Sequence, residues 1–392
     1  MADDFAHGNF ENLTARGTCS PLPRSIAVTG AGGFIGGRMA ELLAAQPGVT
    51  DLRALSRRGS RAVKLENELE LERALKGCSA VIHCAFDMYD MPSNLRIARA
   101  IARVCTRNRI RMVQISSAAV YEPMPDGDID ERQPLRKTDD YRATKARIEE
   151  ELQRMSRVIG LDVVILQPTI VYGPGGRAWT DSPVRDLLMG SLVLPNNGNG
   201  LCNAVYIDDV CQAAINALSV RLPPGERFLI SGATPVKWRE FFGAYDAMIG
   251  QGGLRLQPET ALAPATIHNC APPRGVRKLV LRLKSALYSR MGARWRSQLN
   301  MLFRRIKSIT RPNGASQPTT AQMALYSSSS NIRIDKAKRM LGYAPAFDLP
   351  KGMSSTRDYV RRTYVKNTPR HPSALDRIFK NLRPNVTRDG RA

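Results

Sequence analysis

From residue 25 to about residue 166, short apolar runs alternate with longer stretches in which apolar residues recur every three or four positions. The runs at 25–29, 52–56, 80–83, 112–116 and 162–166 are too short to be helices and read as strands. Between them, 39–43, 95–105 and 141–158 carry the helical period. Further strands are expected at 204–207 and 227–230, and a helix at 238–249. Strands that are almost wholly apolar, separated by helices, predict a parallel sheet covered on both faces, the doubly wound α/β architecture.

After Gly232 the rhythm changes. Residues 251–273 read as loop, and 312–330, rich in Ser, Thr, Gly and Pro, as a linker or mobile loop. Order is expected to return at 334–340, in a helix stopped by Gly342. The first 23 residues carry Asp3, Asp4 and Glu11 without an apolar stretch, which suggests a polar arm rather than a secretory signal. The division expected is an arm at 1–23, a main α/β domain at 24–235, a smaller part at 236–363 and a loose basic tail at 364–392. Residues 175–203 are expected to contribute to the substrate site.

Immediately after the first strand comes Thr29-Gly30-Ala31-Gly32-Gly33-Phe34-Ile35-Gly36, and then a helical pattern. Gly30 permits a sharp turn, Gly33 a close backbone approach to phosphate, and Gly36 tight packing of the helix on the strand. The unpaired N–H groups of the helix start would meet a dinucleotide pyrophosphate. Further on, Tyr141-Arg142-Ala143-Thr144-Lys145 sets a phenol and an ammonium four residues apart, on one face of a helix. An ammonium stabilises phenolate, which a proton-transferring tyrosine needs. Ser116 and Ser117 end a strand, on the edge where such sheets bind ligands. Taken singly, each admits a plainer reading: an incidental Tyr and Lys on a solvated helix, and strand-end capping by the serines.

In this order, the glycine turn, strand-end serine and Tyr-x-x-x-Lys resemble the extended short-chain dehydrogenase/reductase family, in its NAD-dependent epimerase/dehydratase-like branch. Val81-Ile82-His83-Cys84-Ala85, the run Gln167–Gly175, Val205-Tyr206-Ile207-Asp208-Asp209-Val210 and Leu341-Gly342-Tyr343-Ala344-Pro345 extend the likeness from about Arg24 to Tyr364. It implies a Rossmann sheet with a smaller C-terminal substrate-binding part. The resemblance makes Tyr141 the general acid/base, Lys145 the holder of the nicotinamide ribose and Ser117, in preference to Ser116, the group that orients the substrate oxygen. Gly30, Gly33, Phe34, Ile35 and Gly36 would line the pyrophosphate; Ala85 would lie near the cofactor, and Pro168 and Ile170 would border the nicotinamide. His83 reads as structural. The second strand ends in Ser56-Arg57-Arg58 rather than an acid, so donors suited to a 2′-phosphate favour NADP(H) over NAD(H).

Several positions depart from the family pattern. Ala118-Ala119 stand where dehydratases of the branch carry Asp-Glu, so dehydration is not expected. Cys202 occupies the place of a diphosphate-binding arginine, Gln167 that of an arginine before Pro168, and Thr169 that of an asparagine. Arg177, Arg185 and Asn203 are candidate substitutes. What remains is reversible hydride transfer at a secondary alcohol or ketone, in a redox or an epimerase reaction. A nucleotide sugar is the first expected substrate and a lipid-like or sterol-like alcohol the alternative. A non-catalytic NADP(H)-binding regulator is a third reading.

Charge adds one feature. The net charge is +23, and about half the excess lies at 274–311, where twelve Lys and Arg face no Asp or Glu. Apolar residues there, including Trp295, recur at helical spacing, so the segment reads as an insertion of basic amphipathic helices. Docking on an anionic membrane surface, packing on the main domain and binding of another polyanion all fit; the first is preferred, and no nucleic-acid module is evident. Seven cysteines and four histidines are scattered without metal-ligand spacing, so no metal site is expected and the thiols read as reduced. The expected setting is cytoplasmic, at most peripheral to the inner membrane face, with a homodimer compatible with the family likeness.

Overall fold

The computed structural model describes residues 21–56, 62–258 and 318–365. Its centre is a six-stranded sheet of β1 (Ser25–Thr29), β2 (Asp51–Leu55), β3 (Ala80–His83), β4 (Arg111–Ile115), β5 (Val163–Pro168) and β6 (Glu226–Ile230). The order is β6–β5–β4–β3–β1–β2, and every neighbouring pair is parallel. From β1 the chain passes to β2 on one side and then crosses to β3 on the other. That reversal opens a crevice at the carboxyl ends of the strands, where ligands of such sheets bind.

The period-2 alternation of the strands sorts their residues onto two faces. Ile26, Val28, Ile82, Val113 and Val164 join a cluster with Met39 and Leu43 of α1 (Phe34–Ala44) and Val210 and Ala214 of α6 (Ile207–Ser219). Ala27, Val81, Met112 and Val163 face α2 (Glu68–Leu75), α3 (Met91–Arg107) and α4 (Asp140–Ile159) through Leu71, Ile101, Ile148 and Leu152. Burial on both faces explains why the strands read as unbroken apolar runs. Local chemistry sets the helix ends. Asp139 caps α4 by accepting from Arg142 N at 2.8 Å, and Gly160 closes it at φ 71°. Gly342 likewise closes α9 (Asp335–Leu341) in the left-handed region, as its sequence position predicts.

The stretch expected as a linker differs from 318 onward. It holds α8 (Thr320–Ser327) and a short strand, Ser330–Ile332, paired in parallel with Gly127–Ile129. Thr319 and Gln322 form a reciprocal capping box, and Tyr326 is buried with its ring 4.8 Å from that of Trp238. Ser and Thr here cap and pair rather than mark a loop. Helices α2, α5 (Ser182–Leu188), α6 and α10 (Leu349–Val360) go beyond the expected set. The basic segment 274–311, the first 20 residues and the tail beyond 365 lie outside the described residues.

The first core cluster runs without a break from the sheet into α7 (Trp238–Ile249), where Trp238, Phe241 and Tyr245 are wholly buried, and on to Leu341 and Tyr343. Two glycines separate space from propensity. A Cβ on Gly36 would sit 2.3 Å from the Gly30 carbonyl oxygen, whereas one on Gly243, inside α7, meets nothing within 4 Å. Urea unfolding should therefore show Gly36→Ala losing about 1–3 kcal/mol through overpacking. Gly243→Ala should gain about 0.5–1 kcal/mol.

Candidate active site

The glycine turn meets the sheet at the crevice. Gly30 has φ 73°, and a side chain there would lie 2.7 Å from the backbone nitrogen of Ala85, so Ala85 packs directly on the turn. Gly33 N donates to Gly30 O at 2.8 Å, and Gly33 occupies the N-cap of α1 with no side chain to answer the free N–H groups. Gly32 and Gly33 are exposed, and the first turn of α1 holds no acid. An open backbone cradle at a helix start, floored by Gly30 and Gly36, fits a pyrophosphate in shape and sign. Phe34 and Ile35 start the helix, and Phe34 Cζ would lie 3.0 Å from a Cβ on Gly176.

Beneath the turn, Thr29 Oγ1 and His83 Nδ1 are 2.6 Å apart, and Ala85 N donates to Thr29 Oγ1 at 3.4 Å. His83 is 2% exposed, and burial, with Lys145 nearby, pushes its imidazole down to about 3. It is a neutral brace. Ser56 leaves β2 and bridges Ala62, while Arg57 and Arg58 lie outside the described residues. Pro168 ends β5, and Ile170 opens the short strand Ile170–Tyr172, both facing the same end of the sheet as Ala85.

The residues with acid–base chemistry converge beside this cradle. β4 delivers Ile115, Ser116 and Ser117 in extended backbone, so the two serines point opposite ways. Ser116 is buried, and its hydroxyl pairs with the Glu149 carboxylate on α4. Ser117 is partly open, caps the following turn by accepting from Ala119 N at 3.2 Å, and has its hydroxyl beside the Tyr141 phenol. Burial pushes the Tyr141 phenol up, and the neighbouring Ser117 hydroxyl pulls it back. Lys145, one helical turn on, is 5% exposed and donates to the Ile115 carbonyl at 3.0 Å. Burial pushes its ammonium down to about 8, opposed chiefly by the Glu149 carboxylate. The structure thus brings Ser117, Tyr141 and Lys145 together from residues 24 or more apart in sequence for the serine and the helix pair.

Phe86 and Glu149 belong to the same constellation and were not singled out from the sequence. The Phe86 ring stands edge-on to Tyr141 at 5.4 Å, and the Lys145 ammonium lies 4.3 Å from its centroid. The four-residue spacing Tyr141, Lys145, Glu149 was the available signal for the acid. Of the candidate diphosphate ligands, Asn203 is already committed, its amide donating to Ser330 O at 2.9 Å and accepting from Ile332 N at 3.0 Å. Arg185 donates to the Tyr364 hydroxyl at 3.2 Å, and Arg177 is exposed. Arg142 is held between Glu122 and Asp139. Cys202 is fully buried in the core. Among the described residues no group of three or more His, Cys, Asp and Glu gathers as a metal site.

Comparison with known proteins then decides the family. The model of the NAD dependent epimerase/dehydratase family matches residues 26–231, just over half of the chain. The chain belongs to this family. Among curated proteins it is 24% identical over 319 residues to 3beta-hydroxysteroid-dehydrogenase/decarboxylase isoform 2 of Arabidopsis thaliana, covering 75% of this chain and 50% of that protein. It is 25% identical over 246 residues to UDP-glucose 4-epimerase of Vibrio cholerae, covering 56% and 74%. The chain therefore spans about half the length of the plant relative. The fold is similar to that of dTDP-glucose 4,6-dehydratase from Bacillus anthracis in complex with NAD, with TM-score 0.60, 14% identity and coverage of 86% and 97%. It is also similar to that of UDP-glucose 4-epimerase from Thermus thermophilus in complex with NAD, with TM-score 0.59, 20% identity and coverage of 86% and 99%. These likenesses agree with the parallel sheet and its flanking helices.

The family member's acid response should carry a mark of this site. A histidine held well below its free value binds fewer protons folded than unfolded between pH 3 and 6.5, so the stability it contributes is present above 6.5 and lost as pH falls. His83→Asn keeps a polar atom near the Thr29 hydroxyl without the titration. Its thermal midpoint should fall less steeply than the parent's between pH 6.5 and 4.

Proposed function

We propose that the protein is an NADP(H)-preferring oxidoreductase that moves a hydride to or from a secondary carbinol carbon, with Tyr141 as its acid/base. The observation that carries this reading is the convergence of the Ser117 hydroxyl and the Tyr141 phenol beside the buried Lys145 ammonium, next to the glycine cradle. Gly30, Gly33, Phe34, Ile35 and Gly36 would hold the pyrophosphate, Lys145 the ribose next to the nicotinamide, and Ala85, Pro168 and Ile170 the walls around it. Ser56, Arg57 and Arg58 would meet the 2′-phosphate. When bound, the cofactor supplies or accepts the hydride.

The chain's own groups do the rest. In the reductive direction Ser117 donates a hydrogen bond to the substrate oxygen and fixes its lone pairs. Tyr141 gives that oxygen its phenolic proton as negative charge develops there, and the phenolate left behind is stabilised by the Lys145 ammonium. In the oxidative direction the phenolate takes the proton back. Phe86 closes one side of the pair and lowers the local dielectric, which strengthens the attraction between ammonium and phenolate. Ala118 and Ala119 have no proton to remove or deliver, so the reaction stops at carbinol and ketone without loss of water.

A nucleotide sugar is the substrate class we favour, in line with the epimerase relatives. A lipid-like or sterol-like alcohol is the second reading, and two observations favour it. Two of the three candidate diphosphate ligands, Arg185 and Asn203, bond other groups of the chain, and Met88 and Tyr89 stand 56% and 92% exposed on the loop that leaves Phe86. Under either reading we place the enzyme in the cytoplasm as a homodimer, with segment 274–311 resting on anionic lipid. No described helix is long and apolar enough to cross a membrane.

Mass spectrometry of small molecules co-purifying with the protein tests cofactor and substrate class together: NADP(H) is expected, and a chain carrying only NAD(H) would overturn the 2′-phosphate assignment. On the substrate so identified, Tyr141→Phe should lower turnover by about 10²-fold or more while NADPH affinity changes little. Full turnover by that variant would remove Tyr141 from the mechanism, whereas a parent protein that turns over no co-purifying compound would favour a silent cofactor-binding regulator.

A further inference from the structure

The buried face of α4 presents three polar side chains spaced four residues apart, Tyr141, Lys145 and Glu149, and the reaction as described uses two of them. Glu149 is fully buried. One of its oxygens takes the Ser116 hydroxyl, and the other accepts from Gln167 Nε2 at 2.7 Å. Gln167 in turn accepts from the Tyr121 hydroxyl at 2.8 Å. Arg227 Nη1, from β6, stands 3.8 Å from the carboxylate, while its Nη2 donates to the Glu131 carbonyl at 3.0 Å. The result is a register between helix and strand exit. Lys145 holds the Ile115 carbonyl, Glu149 holds the Ser116 side chain, and Tyr141 meets Ser117. Three consecutive strand residues are gripped by three consecutive turns of one helix.

We propose that Glu149 is a positioning residue for the reaction: through Ser116 it fixes the turn that aims Ser117 at Tyr141, and through its charge it keeps Lys145 an ammonium. The inference rests on the roles given above to Ser117, Tyr141 and Lys145. Its physical basis is that a carboxylate and an ammonium, both removed from water on one helix face, each make the other's charged form tolerable. The hydrogen-bond partners of Glu149 are neutral, and its charged neighbours are Lys145 from its own helix and Arg227 from β6. Tyr121 faces it from the turn after Ser117, with Glu131 behind that phenol; His83 and Cys84 face Lys145 from the end of β3. Gln167 matters here because it gives the acid a hydrogen bond without a charge.

Burial pushes the Glu149 carboxyl up to about 7, against the pull of Ser116, Arg227, Gln167 and Lys145. A carboxyl raised in the folded state keeps its proton between pH 4.5 and about 7, where the unfolded chain has released it. Its contribution to stability is therefore largest below pH 4.5 and declines as pH rises through 7.

The test uses the full chain and NADPH as the probe, with affinity read by fluorescence across pH and the thermal midpoint read without nucleotide. The proposal expects NADPH affinity to fall on the basic side as Lys145 deprotonates. In Glu149→Gln that limb should move to lower pH by half a unit or more, and the thermal midpoint should decline less between pH 5 and 8. Gln167→Leu removes one neutral donor, destabilises the carboxylate and should move the limb the same way, which keeps the test alive if the first variant does not fold. Ser116→Ala removes the other neutral donor to the carboxylate, so it should move the limb the same way and lower turnover as well. A limb that disappears in Lys145→Met but stays in place in both Glu149→Gln and Gln167→Leu would reduce Glu149 to a structural residue and overturn the proposal alone. A limb that persists in Lys145→Met would overturn the lysine assignment, and this proposal with it.

Discussion

A buried ammonium is the constraint around which the rest of the site is arranged. Lys145 lies 5% exposed, and a charge taken out of water must be answered on several sides at once. The Ile115 carbonyl answers it from the strand, the Phe86 ring from the loop after β3, and Glu149 from the next turn of its own helix. Each of those groups comes from an element that the parallel sheet delivers to one edge. The cost of burying the charge is offset only when β3, β4 and α4 are docked in register, so the acid–base chemistry and the packing of the domain share a single geometric condition.

Much of this geometry is legible in the residues, and the exceptions have physical reasons. The strands read clearly because both faces of the sheet are covered, so runs such as Ile26-Ala27-Val28 are apolar throughout. The glycine turn reads clearly because Gly30 and Gly36 have no room for a side chain. Ser117 could be separated from Ser116 only by analogy, and the structure supplies the cause: alternation in extended backbone sends one hydroxyl into the core and the other into the crevice. Residues 320–327 defeated a compositional reading because Thr319 and Gln322 cap a helix whose stability comes from Tyr326 packing on Trp238, a contact across 88 positions that no local pattern reveals. Phe86 was hidden for the same reason, since an aromatic after a strand declares nothing until it meets Tyr141.

The departures from the family pattern also acquire a meaning. Gln167 bonds both Tyr121 and Glu149, so an amide completes a buried chain of hydrogen bonds in place of an ion pair. Cys202 and Asn203 serve the core and the strand at 330–332 rather than a ligand. Under the proposed roles, Ser117, Tyr141 and Lys145 are all in place, while positions 167, 202 and 203 are given over to the chain's own packing.

The central claim is that Tyr141 becomes a usable base when a positively charged nicotinamide joins the Lys145 ammonium beside it. Ultraviolet difference titration of phenolate absorbance, parent minus Tyr141→Phe, in the complex with NADP⁺ measures this directly. The account predicts one tyrosine ionising more than a unit below the ordinary value of about 10. A difference signal that appears only above pH 10 with the nucleotide bound would contradict it.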